Sequence, residues 1–122
     1  MLDSDGYPRV EVLDSITEMY FLDALDLVGE LWSYPWAYRK ELTPKEAAFL
    51  MFDHEELEKL EVWRFLTGGW SGNESLIGAL RENLMVWGFA WQVSTKSGLH
   101  IFAANKVYRQ LREEELATEE AD

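Results

Sequence analysis

A chain of 122 residues with a net charge of −12 and no cysteine is sized for one domain around one hydrophobic core, without disulfides or thiol catalysis. Its 48% apolar content and six tryptophans exclude a disordered acidic polymer, and the excess acid works against broad binding to nucleic acid or anionic lipid. No apolar run nears the roughly 20 residues of a membrane span, and Met1-Leu2-Asp3-Ser4-Asp5 is acidic where a secretory signal is basic, so a cytoplasmic protein with no membrane partner is expected.

The charge is segregated. Residues 1–31 hold eight acids against Arg9, whereas residues 63–112 hold six bases against Glu74 and Glu82. Residues 113–122 carry six acids and no base. A basic, Trp-rich centre lies between acidic ends.

Residues 1–11 read as a polar lead, with Gly6 and Pro8 breaking regular structure. A first helix is predicted from about Asp14 to Trp32. Leu13, Ile16, Tyr20, Ala24, Leu27 and Leu31 alternate steps of three and four, and Phe21, Leu25, Val28 and Trp32 form an adjacent stripe. Asp14, Glu18, Asp26 and Glu30 fall at multiples of four and would share another face. Pro35 interrupts the pattern within Trp32-Ser33-Tyr34-Pro35-Trp36.

Thr43-Pro44-Lys45-Glu46 predicts a capping box at the start of a short helix whose apolar run, Ala47 to Phe52, points to burial. Asp53-His54-Glu55-Glu56 repeats that logic for a third helix ending at Gly68-Gly69. Ser71 or Asn73 would cap a fourth helix, with Ile77, Leu80, Leu84 and Trp87 on one face and a stop near Gly88. The period then changes to two: Phe89, Trp91 and Val93 alternate, Lys96-Ser97-Gly98 turns the chain, and Leu99, Ile101 and Ala103 alternate back, a β-hairpin. Asn105 would cap a last helix through Val107, Tyr108 and Leu111 that frays into the acidic tail, residues 113–122. The fold class expected is α+β in a single domain over residues 1–122, mostly helical, with four to five helices and one C-terminal β-hairpin.

Few constellations point to chemistry. His54-Glu55-Glu56-Leu57-Glu58 starts like a zinc-protease helix but puts Glu58 where the second imidazole must stand, so a solvated helix start is the better reading. Gly69-Trp70-Ser71-Gly72-Asn73 resembles a serine nucleophile elbow but ends in Asn73 instead of Gly. As a phosphate cradle the same loop lacks a Gly-Lys-Ser/Thr pattern and carries Glu74 in the first helical turn. No metal, cofactor or catalytic group is therefore expected, and a small hydrolase stands last among the functions.

The order of helices, glycine turn and hairpin is that of a winged helix-turn-helix, with Arg81, Lys96, Lys106 and Arg109 as candidate nucleic-acid contacts. The recognition face would offer Ser75, Gly78, Arg81, Glu82 and Met85, only one of them a base, so direct nucleic-acid binding is the second choice. Trp63, Trp87 and Trp91 sit at periodic core positions; Trp70, among glycines, is either tucked back or a partner anchor. The first choice is a non-enzymatic acidic regulator or inhibitor docking on a basic protein surface, such as a nucleic-acid-handling enzyme blocked by mimicry of its substrate. Asp14, Glu18, Asp26, Glu30 and Trp70 would make its contacts. A third choice is a homo-oligomeric structural subunit joined through the first helix.

Overall fold

The computed structural model describes residues 1–121, with side chains through Glu119. It is a mixed α/β arrangement of seven α-helices and a four-stranded antiparallel sheet. In chain order the elements are α1 (Val10–Glu18), α2 (Phe21–Leu31), a 3₁₀ turn (Pro35–Ala37), β1 (Tyr38–Arg39), α3 (Pro44–Phe49) and α4 (His54–Lys59). They continue with β2 (Leu60–Leu66), α5 (Ser71–Glu82), α6 (Leu84–Phe89), β3 (Trp91–Ser94), β4 (Leu99–Asn105) and α7 (Val107–Ala121). None of the described helices is long and apolar enough to cross a membrane.

The sheet order is β1-β2-β4-β3, so the last strand in sequence lies beside the first long one. β2 and β4 pair along their full lengths, from Leu60 opposite Asn105 to Leu66 opposite Leu99. Alternation then sorts their side chains: Trp63, Phe65, Phe102 and Ala104 enter the core beneath α2 and α5, while Val62, Arg64 and Ile101 face the other side. Trp63 is fully buried, and Phe65 packs edge-on to Phe102 at 5.9 Å. A core side chain of this size contributes ~1.5–3 kcal/mol through burial alone.

Several sequence expectations fail here, each for a local reason. The winged-helix order is absent, because the expected third helix contains a short helix and then the central strand β2. Asp53 does cap α4, accepting from Glu56 N–H at 2.7 Å, but Leu60–Leu66 is rich in β-branched and aromatic residues and takes sheet pairing instead. The first helix is two: Met19 and Tyr20 are extended, ending α1 and opening α2. The fourth is also two, since Asn83 is extended (φ −83°, ψ 106°) between α5 and α6.

The capping box at Thr43 forms as expected, with Glu46 N–H donating to the Thr43 hydroxyl and Thr43 N–H to the Glu46 carboxylate. The helix it opens buries only Ala47, while Phe49 and Met51 lie in solvent; six residues laid over the sheet present too little face to bury the whole run. The hairpin is present as β3 and β4, turning at Gly98 with φ +90°, but Phe89 belongs to α6 and β4 is central instead of peripheral. Asn105 accepts from Val107 N–H at 3.0 Å, and α7 runs on to Ala121 where fraying was expected.

Candidate functional site

Leu84-Met85-Val86-Trp87-Gly88-Phe89 forms α6, a helix without one polar side chain. Asn83 starts it by accepting from Val86 N–H at 3.1 Å. The turn buries Val86 and half-buries Trp87, which leaves positions i, i+1, i+4 and i+5 facing outward. These are Leu84 (85% exposed), Met85, Gly88 and Phe89 (56% exposed). The apolar surface continues from Phe89 to the ring of Tyr108 at 6.2 Å, and Leu111 is exposed one turn further along α7. Beyond α6 the Trp91 ring stacks on Trp87 at 4.9 Å; Trp87 packs partly buried against the core, while Trp91 stays part-exposed, short of the core position its spacing predicts. Isolated exposed apolar residues are ordinary; here Leu84, Met85 and Phe89 share one helix face.

The four predicted acids do not form one surface, because the break at Met19–Tyr20 puts them on two helices. Asp14 and Glu18 stay together and exposed on α1, and Asp14 lines a shallow cleft with Glu82 of α5, just ahead of α6. Glu30 is exposed on α2. Asp26 is engaged within the fold: it accepts from Trp63 Nε1 at 3.1 Å and from the Arg109 guanidinium at 2.8 Å. Homo-oligomerisation through the first helix also loses its basis, since Phe21, Leu22, Ala24, Leu25 and Val28 of α2 are all spent in the core.

Arg109 bridges Asp26 and Glu61, reaching the latter at 2.6 Å, and Lys40 closes on Glu61 from the other side at 2.8 Å. Burial pushes the Glu61 carboxyl up, but hydrogen bonds and charges from Arg109 and Lys40 outweigh it and hold the group below its ordinary 4.5. Hydrogen bonds donated to the Glu61 and Asp26 carboxylates hold Arg109 in its charged form. Next to them the Tyr38 hydroxyl is pushed up to about 12, first by burial and then by the Asp26 and Glu61 charges. The cluster is a structural clamp joining α2, β2 and α7.

Of the remaining candidate bases, Arg81 and Lys96 line one cleft between α5 and the β3–β4 turn, whereas Lys106 is exposed at the start of α7. With Arg109 paired to two carboxylates, the four form no continuous basic face. Trp70 is half-buried: its ring lies 4.7 Å from Tyr7, and a Cβ on Gly72 would meet its Nε1 at 2.5 Å. The polar lead supplies Tyr7 through a small turn, with Leu2 bridged to Pro8 and Asp3 accepting from Tyr7 N–H at 2.9 Å.

Sequence reasoning missed Leu84, Phe89 and Glu82. An unbroken helical period would bury Leu84, and only the Asn83 break turns it outward. The signal available was composition: six successive residues without polarity, ahead of the hairpin, are excessive for one buried face. No protein-family model matches the chain, and neither a curated protein nor a solved structure is similar to it at a significant level.

Proposed function

We propose that the protein acts by binding, docking a basic amphipathic helix of another protein on the apolar face of α6. The observation that carries this reading is the outward row Leu84, Met85, Gly88 and Phe89 on a helix with no polar side chain. Charge complementarity chooses the occupant. Asp14, Glu18 and Glu82 stand near the Leu84 end, Glu113, Glu114 and Glu115 follow Leu111 on α7, and the chain as a whole carries −12. A partner helix with an apolar stripe and flanking Lys or Arg would bury the row and meet those acids at the rim, where charge sets encounter rate and specificity. This keeps the acidic-regulator reading but moves its contacts from a single first helix to α1, α6 and the start of α7.

The test titrates a Leu/Lys amphipathic helical peptide, with a scrambled control, into wild-type protein and the Leu84→Glu and Phe89→Glu variants, following tryptophan fluorescence. Saturable binding by the amphipathic peptide alone, weakened about tenfold or more in both variants, supports the reading. Equal binding of both peptides, or no loss in either variant, overturns it. Sedimentation of wild-type protein against Leu84→Glu separates off a second copy of the chain as occupant, for which a self-associating wild type and a monomeric variant are required.

A further inference from the structure

Between α5 and the β3–β4 turn lies a cleft of about 280 Å³, lined by Thr67, Glu74, Arg81, Thr95, Lys96 and His100 among others. That is roughly nine water volumes, sized for a small metabolite and not for a nucleic-acid strand. Its three charged groups, Glu74, Arg81 and Lys96, form no ion pair with one another or with any other described residue. At its wall His100 is only 8% exposed, a buried polar side chain tied at one end alone. Its Nδ1 lies 2.7 Å from the Ser94 hydroxyl oxygen, and Nε2 has no hydrogen-bond partner among the described residues.

The hydrogen-bond chain behind His100 sets what Nε2 offers. Trp91 Nε1 is only a donor and gives its proton to the Ser94 oxygen at 3.0 Å. The Ser94 O–H can then donate to Nδ1, and in that tautomer the ring proton is on Nε2. Burial, with the Arg81 charge beside it, holds the His100 pKa below its ordinary value and so favours the neutral ring, whose Nε2–H is a donor in the tautomer that Ser94 supports.

We propose that this cleft binds the oxyanion end of a small molecule, a phosphate or carboxylate group, between Arg81 and Lys96 with the His100 imidazole as a further donor at its wall. Two unpaired cations and one neutral donor converge there, and such charge-assisted contacts are the strong ones. Glu74 lines the same cleft, so a ligand that also carries a hydroxyl or ammonium donor is favoured. The site is separate from the α6 docking face and does not depend on it.

Inorganic phosphate and acetate are titrated in turn against chloride at matched ionic strength. Two reporters are read: tryptophan fluorescence, since Arg81 sits 5.5 Å above the Trp87 ring, and the ¹⁵N resonance of His100 Nε2. A saturable response to either ion, with the Nε2 resonance moving alongside, is expected; which ion is preferred tells phosphate esters from carboxylic acids. Arg81→Gln should weaken that binding about tenfold or more, and Glu74→Gln should tighten it by removing the one repulsive charge. A drift indistinguishable from chloride, or saturable binding that leaves His100 unmoved and survives Arg81→Gln, overturns the proposal. The wild-type titration decides the matter even if a variant fails to fold.

Discussion

Asn83 Nδ2 stands 2.9 Å from the carbonyl oxygen of Met19 and so joins the two places where a long helix is interrupted. The same amide donates to Ile16 C=O at 2.8 Å, and its oxygen accepts from Val86 N–H. One buried side chain thus satisfies the C-terminal end of α1 and the first turn of α6 together. The break at Asn83 turns outward what an unbroken helix would have buried, and the α6 face is the result.

Asn83→Ala should therefore destabilise the protein by about 2–4 kcal/mol, since buried carbonyls and an N–H lose their partner together. Asn83→Asp should be worse at neutral pH, because a carboxylate would face the two carbonyl oxygens. Its pKa would be raised in the folded state, so its stability should recover as pH falls through that value. Urea unfolding of both variants at two pH values checks this.

The Glu61 and Glu46 carboxyls make a prediction of opposite sign. Burial pushes both up, but Arg109 and Lys40 on Glu61, and Arg64 with Thr43 on Glu46, bring each below its ordinary 4.5. The unfolded chain thus takes up protons more readily than the folded one. Their stabilisation is fully present above the ordinary carboxylate range and is lost as pH falls from there through the lowered folded values. Glu61→Gln should lower stability at neutral pH and flatten its decline on acidification, read from urea midpoints across that range.

How far the fold is legible in the sequence depends on the range of the cause. The caps at Thr43, Asp53 and Asn105 are local, a side chain and a backbone amide within three residues, and each stands where the spacing puts it. Asn73, read as a cap, instead receives Ser33 N–H and donates to Ser33 C=O, 40 positions away. Asn83 likewise works across a separation of more than sixty residues, and no periodicity contains such a partner. The acidic face failed for the same reason. The break at Met19–Tyr20 divides its four acids between two helices, and Trp63 and Arg109 recruit Asp26 from distant parts of the chain.

Trp70 offers a test of packing without hydrogen bonding. Its buried indole N–H has no partner, so Trp70→Phe should cost less than about 1 kcal/mol of stability, while Trp70→Ala, uncovering Tyr7 and Gly72, should cost about 2–3 kcal/mol. Gly72→Ala should destabilise in spite of alanine's better helix propensity, because its methyl would meet the indole. Thermal unfolding of the three variants gives the order directly.

Met51 makes a case where stability rises. It follows α3 with φ +62°, while Phe52 N–H bonds to Ala47 C=O and Met51 N–H to Ala48 C=O, a Schellman ending that favours glycine. The Met51 side chain is almost wholly in solvent, so Met51→Gly gives up little packing and relieves a left-handed backbone. A gain of about 0.5–1 kcal/mol in urea unfolding is expected.

The pairing of β2 with β4 also governs the order in which the molecule can be built. Residues 60–66 leave the ribosome with both long edges open, and β1 covers only Arg64 and Phe65 on one of them. The other edge waits for residues 99–105, so a nascent chain that stops short of them holds Trp63 and Phe65 without the strand that completes their layer. Cooperative folding is thereby deferred until residues 99–105 have emerged, and chains stopped before Leu99 expose an apolar strand edge prone to self-association.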